Sequence, residues 1–278
     1  MKQIYFISDA HLGSRAMEHR RTHERRLVNF LDKIKEKAEA VYMLGDMFDF
    51  WFEYKEVVPK GFTRFLGKIS ELTDLGVEVH YFCGNHDMWM GDYLENECGV
   101  ILHRSPATIN IGDKVFYLAH GDTLRNGDND WKTKLMFACF RSPTLYRMAQ
   151  MVPTTMFMNF GLNWAKSSRM KRSDGGKDNP GFENAKSIVG YESAEGNGEE
   201  PYKGEDKESL VLYAKEYLKS HPEVNFFIFG HRHIELDLML SRDTRLLLMG
   251  EWMTLFTYAV WDGEHMFVDN FIEGETEL

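Results

Sequence analysis

Cysteine is scarce in this chain. Cys83, Cys98 and Cys139 are odd in number and widely spaced, which excludes both a disulfide framework and a Cys-x-x-Cys zinc site. They read as buried free thiols. A secretory leader is also missing from the first residues, since Met1 and Lys2 run straight into a short strand-like stretch with no apolar segment or small-residue cleavage site behind it. A cytoplasmic protein is therefore expected. Net positive charge is lacking as well: the formal charge of −10 argues against nucleic acid as a general partner. Internal repeats are absent. With 43% apolar and 14% aromatic residues, the chain has what it needs to bury a large core, and a disordered chain is excluded.

One further absence is local. No Asp or Glu occurs between residues 131 and 173, while eight Lys and Arg fall there, so the rest of the chain carries −18. The same stretch concentrates methionines, among them Met136, Met148, Met151, Met156, Met158 and Met170, and is helical in pattern with breaks at Pro143 and Pro153. Residues 173–206, rich in Gly, Asp, Glu and Ser, read as a mobile loop. The expected organisation is a single domain over 1–278, with 131–206 as a basic, Met-rich helical insertion and flexible loop.

Elsewhere, short β-branched and aromatic runs alternate with helix-period segments. Residues 4–8, 40–44 and 77–82 read as parallel strands, each followed by a polar cluster, with core-facing helices between them built on Leu27, Leu31 and Ile34 and on Phe62, Phe65, Leu66, Ile69 and Leu72. A hairpin over 108–119 opens a second sheet. After a helix over 207–219, strands follow at 224–229, 234–240, 246–249, 256–260 and 265–271, with tight turns suited to antiparallel pairing. Two stacked sheets flanked by helices fit this α/β pattern best.

The polar clusters at the strand ends carry the chemistry. Asp9 and His11, and likewise His231 and His233, stand two apart, which in extended chain points both side chains to one side. Asp46 after Gly45, Asn85 after Gly84, and His120 add a carboxylate, an amide oxygen and an imidazole at matching positions. Such a mixed donor set suits Mn²⁺, Fe or Zn²⁺ better than Mg²⁺ or Ca²⁺. Asp46 is the natural bridge between two ions. Asp9, His11, Asp46 and His233 are assigned to one, and Asp46, Asn85, His120 and His231 to the other. The remaining histidines, His19, His23, His80, His103, His221 and His265, are read as structural or solvent-facing.

The motifs Ser8-Asp9-Ala10-His11-Leu12-Gly13, Gly45-Asp46, Gly84-Asn85-His86-Asp87, His120-Gly121-Asp122 and Gly230-His231-Arg232-His233 resemble, in that order, the calcineurin-like metallophosphoesterases. The resemblance implies a four-layer α/β/β/α sandwich and two catalytic metals, expected to be Mn. Within the superfamily, the stretches 45–51, 120–124 and 250–252 are similar to the UDP-2,3-diacylglucosamine diphosphatases of lipid A synthesis. That likeness implies cleavage of the substrate diphosphate to give UMP and 2,3-diacylglucosamine 1-phosphate. Many members of that branch carry Arg where this sequence has His86.

Two ions a few ångström apart would activate water for in-line attack at phosphorus. His86, beside Asn85, is the candidate catalytic residue, donating to a phosphoryl oxygen or to the leaving group, with Asp87 as its orienting partner. Asn85, His86 and His231 would also face substrate, and Asp128 and Ser168 match the substrate pocket of the family. The insertion pairs adaptable methionines with cations, which suits an acylated, anionic substrate and a peripheral position on the anionic cytoplasmic face of the inner membrane. Three other readings stay open: a soluble nucleotide or phosphodiester substrate, a non-catalytic scaffold that keeps the metallophosphoesterase shape and binds protein through the basic insertion, and a helical subdomain whose methionines pack only its own core.

Overall fold

Five consecutive side chains of the first strand dictate where it must lie. In β1 (Gln3–Ile7), Tyr5 and Ile7 point to one face and Ile4 and Phe6 to the other, and all four are buried. A strand apolar on both faces has to be covered twice. The structure, a computed structural model describing residues 2–17, 19–124, 142–175 and 201–273, with backbone alone over 166–175, shows how this is achieved.

β1 pairs in parallel with β2 (Ala38–Met43), which is followed by β3 (Glu78–Phe82) and the short β4 (Ile101–His103). The last two strands, β10 (Thr257–Trp261) and β11 (Met266–Asn270), return to the other side of β1 and pair antiparallel, giving the order β11-β10-β1-β2-β3-β4. A second sheet runs β5-β6-β7-β9-β8, with β5 (Ala107–Ile111), β6 (Lys114–Ala119), β7 (Phe226–Phe229), β8 (Glu235–Met239) and β9 (Arg245–Met249). Its edge strands β5 and β8 alternate in exposure, as strands with one wet face should.

Three apolar layers result. Phe6, Tyr42 and Phe82 of the first sheet meet Phe116, Ile228 and Met249 of the second. On the outer face of the first sheet lie α1 (Arg20–Ile34) and α2 (Thr63–Asp74), which bury Leu27, Phe30, Leu31 and Ile34, and Phe65, Ile69 and Leu72, at helical spacing. Each such side chain contributes about 1.5–3 kcal/mol on full burial. The short α3 (Tyr93–Cys98) adds to this layer. On the outer face of the second sheet, α6 (Ser209–Ser220) buries Leu210, Val211 and Ala214. The layers are thus α/β/β/α. Neither α3 nor β4 was evident from the sequence, because six and three residues are too few to show a period.

Between the two halves lie α4 (Pro143–Ala149) and α5 (Thr154–Gly175). Pro143 occupies the first turn of α4, where its missing N–H is no loss. Both helices are held to the loops after β1 and β2. Tyr146 Oη and Gln150 Nε2 donate to the Glu53 carbonyl at 2.8 and 3.1 Å, Phe157 packs on Phe52 with ring centroids 4.4 Å apart, and Arg15 donates to Asn163 and Asn159 at 2.8 and 3.0 Å. Among the described residues no helix is long and apolar enough to cross a membrane.

Candidate metal centre

The central strands deliver their following loops to one edge of the sandwich. Because β1, β2 and β3 are mutually parallel, and β6 and β7 are parallel in the second sheet, the residues after their C-terminal ends converge. The loops are locked together by backbone bonds: Asp9 N donates to Gly45 O at 3.0 Å, His11 N to Asp46 O at 2.8 Å, and Trp252 N to Asp9 O at 3.1 Å.

Asp9, His11, Asp46, His231 and His233 all have positive φ, between 44° and 67°. These are five of the seven non-glycine residues in that region among those described. The extended i, i+2 geometry expected for Asp9 and His11 and for His231 and His233 is therefore not what the chain adopts. It leaves the strand conformation at each of these residues, at a cost of about 1–3 kcal/mol per residue, and strain of this kind collects at functional sites. Gly230 makes room for this packing: a Cβ there would collide with Ser8 Oγ and sit 2.5 Å from Asp9 Oδ2. At Gly84, a Cβ would sit 2.6 Å from Asp46 N.

The side chains form one buried cluster. His233 Nε2 lies 3.1 Å from both Asp9 Oδ1 and His11 Nε2. Asp46 Oδ2 lies 3.4 Å from His120 Nε2, 3.9 Å from His11 Nε2 and 4.0 Å from His86 Nε2. Asn85 Oδ1 is 3.3 Å from His120 Nε2, and the half-buried His231 ring is 5.1 Å from that of His120. Within this cluster Asp9, His11 and His233, then Asp9, Asp46 and His120, and also His11, Asp46 and His86 each bring three ligand atoms within 4.8 Å of one another. His86 thus joins a candidate ligand group that its sequence position did not announce.

Hydrogen bonds fix which nitrogens face the centre. His120 Nδ1 donates to Leu44 O and His86 Nδ1 to Asp49 O, both at 2.8 Å, so each Nε2 points inward. Ser8 Oγ donates to Asp9 Oδ2 at 2.5 Å, and His231 N donates to the same oxygen at 2.9 Å. Asp49, which sequence reasoning passed over, also approaches His11 Nδ1 at 3.6 Å. The signal for it was its place three residues after Asp46 in the same loop. Asp87, expected to orient His86, faces elsewhere: it accepts from Gly84 N at 2.7 Å and Tyr81 Oη at 2.5 Å and braces the loop. The orienting group for His86 is the Asp49 carbonyl. From α5, the Trp164 ring lies 5.7 Å from that of His86.

Electrostatics make the cluster ready for cations. Burial alone would raise the Asp46 carboxyl, but His120, His86 and His11 hold it well below the usual carboxylate range. Burial likewise disfavours charge on His120, yet the adjacent Asp46 raises it to about 10. Asp9 Oδ1 is buried and accepts no hydrogen bond among the described residues. A divalent cation held here would satisfy that oxygen and take the place of the His120 proton, so the donor set fits the metals it implies.

Asp128 lies outside the described residues, and so does the side chain of Ser168, whose backbone is in α5. Cys139 is outside them too, while Cys83 and Cys98 are buried free thiols. Of the other histidines, His23 is buried against Ala10 O at 2.7 Å, and His80 and His103 meet each other at 3.0 Å.

The pattern of the calcineurin-like phosphoesterases matches residues 2–235. This chain belongs to that family. A UDP-2,3-diacylglucosamine hydrolase from Porphyromonas gingivalis is 41% identical to this phosphoesterase over 276 residues, covering 98% of this chain and 99% of that one. The UDP-2,3-diacylglucosamine hydrolase of Haemophilus influenzae is 34% identical over 128 residues, 45% of this chain and 50% of its own. Among solved structures, a dimetal phosphatase from Danio rerio aligns with a TM-score of 0.44 at 13% identity, covering 96% of this chain and 95% of that one. The phosphoesterase is a hydrolase with a buried His/Asp cluster able to hold divalent metal.

Proposed function

We propose that this phosphoesterase cleaves the diphosphate of UDP-2,3-diacylglucosamine, releasing UMP and 2,3-diacylglucosamine 1-phosphate, and that it works with two Mn ions at an anionic membrane face. The observation that carries the reading is a cavity of about 710 Å³ whose lining includes Leu12 and Gly13, the two residues that follow His11 in the chain. Phe50, Phe52, Phe62, Met158 and Leu162 line it, so an apolar chamber adjoins a phosphoryl-transfer centre. A chamber with Phe, Met and Leu walls and basic residues beside them suits acyl chains joined to an anionic head. The near full-length likeness to a UDP-2,3-diacylglucosamine hydrolase points the same way.

On this reading Asp9, His11, Asp46 and His233 would hold one ion, and Asp46, Asn85, His120 and His231 would hold the other. The metals, when bound, activate water and neutralise charge that builds on the phosphoryl oxygens. His86 keeps Nδ1 on the Asp49 carbonyl, which leaves Nε2 to act on a phosphoryl or leaving oxygen of the substrate. Trp164 covers His86 from α5 and limits access of bulk water. Residues 131–206 act as an insertion whose helices roof the chamber, with Asp128 and Ser168 among the substrate contacts.

Purified protein with Mn²⁺ should release UMP from the lipid nucleotide. Asp46→Ala should lose bound metal by elemental analysis and lose that activity with it. Robust turnover of a soluble phosphodiester with no UMP release would sink the lipid reading in favour of a soluble substrate.

A further inference from the structure

The loop after β1 and the first turn of α1 carry Arg15, Arg20 and Arg21, and the loop before α2 carries Lys60. All four are exposed and all four line the mouth of the apolar cavity. None has a carboxylate within ion-pair distance among the described residues. Glu24, the acid among the lining residues, is occupied in capping α2, accepting from Arg64 N and Phe65 N at 3.1 and 3.3 Å.

Arg20 and Arg21 are placed against the fold's own electrostatics. They open α1, which has no acidic residue in its first turn, at the helix end where the macrodipole already concentrates positive potential. The fold gains nothing from two guanidinium groups there. An anion brought from outside does. The same mouth is greasy: among its lining residues Val57 is 50% exposed, and α5, which lends Met158 and Leu162 to the lining, also carries Met156 and Phe160 outside it at 63% and 65% exposure. One partner offers a dense anionic layer directly above apolar chains.

We propose that the face formed by Arg15, Arg20, Arg21 and Lys60 docks on an anionic phospholipid bilayer, so that the cavity opens toward the acyl layer. This rests on the reading of the substrate as acylated and membrane-borne, and it names which face meets the lipid. The chain as a whole carries −10, so an acidic bilayer repels most of its surface. Only a local positive face, acting within a Debye length of about 8–10 Å, can reverse that. Arg15 has a second part in this arrangement. Its bonds to Asn159 and Asn163 join the basic loop to α5, which sets the cationic and greasy banks side by side.

The test is partition of the full-length protein onto vesicles, compared between phosphatidylglycerol mixed with phosphatidylcholine and phosphatidylcholine alone. A juxtamembrane Lys or Arg contributes about fivefold in binding, so Arg20→Gln with Arg21→Gln should weaken partition about thirtyfold and Lys60→Gln about fivefold. Both substitutions are at exposed positions, and thermal unfolding checks that the fold is kept. Salt-sensitive binding to the anionic vesicles alone, with these losses, supports the proposal. Equal binding by parent and both variants, with loss seen only for Arg147→Gln on α4, overturns it and leaves the membrane reading standing. Failure of the parent to bind anionic vesicles overturns both. UMP release from detergent-solubilised substrate then tells whether the substrate assignment survives.

Discussion

Gly230 shows how much of the metal centre depends on a side chain that is missing. Its hydrogen leaves room for Asp9 Oδ2, which a Cβ would approach to 2.5 Å, and the adjacent His231 N donates to that same oxygen. Gly230→Ala should therefore push the Asp9 carboxylate off its place. The expected outcome is a stability loss of about 1–3 kcal/mol in chemical denaturation, the usual cost of overpacking, together with loss of metal by elemental analysis. Wild-type stability and full metal content in this variant would show that the loop can shift freely. The convergence of Asp9, His11, Asp46, His120 and His233 was legible in the sequence because imidazole and carboxylate groups recur after strands. The left-handed backbone at Asp9, His11, Asp46, His231 and His233 was not, since nothing in a run such as Asp-Ala-His marks positive φ. Asp87 was misread for a related reason: adjacency to His86 along the chain says nothing about direction, and its carboxylate turns to Gly84 and Tyr81.

At the scale of elements, the centre is built by joining loops to helices. Glu208, 1% exposed and at the start of α6, accepts from Arg232 Nε at 2.8 Å and from Nη2 at 3.1 Å. Arg232 lies between His231 and His233, so this two-point bond ties the helix behind the second sheet to the loop that carries both imidazoles. Removing the buried carboxylate leaves the partly buried guanidinium without its charge partner. Glu208→Ala should lower stability by about 3 kcal/mol and weaken metal affinity, whereas Glu208→Gln, which keeps an acceptor oxygen, should lose less of both. Titration calorimetry with Mn²⁺ beside denaturant unfolding tests this, and unchanged affinity for the Ala variant would separate the pair from the metal centre. Strand and helix periods were readable wherever a run was long enough. The destination of β10 and β11 was not, because local apolar pattern cannot say that Thr257–Trp261, buried on both faces, pairs with the first strand of the chain rather than with its neighbours in sequence.

For the whole molecule, the −10 charge and the layered core suggest that acid will act through buried neutral groups as well as through surface repulsion. His80 and His103 stand singly in the sequence, 23 residues apart, yet their rings meet across β3 and β4, with His80 Nδ1 and His103 Nε2 at 3.0 Å. Tyr42 stacks on His80 and Phe82 on His103, at centroid distances of 4.3 Å each. Burial, and then the neighbouring His80, lower the His103 imidazole to about 4, and burial also lowers His80 in spite of Glu78. A histidine held below its unfolded value binds fewer protons in the native state than in the unfolded state. Stability from this pair is therefore fully present above about pH 6.5, the ordinary histidine value, and is lost as pH falls toward about 4. His103→Gln keeps a polar group at the site but cannot titrate. Measured by denaturant unfolding of the metal-free protein, its stability should fall less steeply than the parent's between those two pH values and run parallel to it above them. Metal ligands and surface carboxylates are common to both proteins, so the difference between the two curves isolates the pair. Parallel curves through the whole window would mean that the strand edge opens enough to hydrate the imidazoles, and that acid unfolding begins elsewhere in the sandwich.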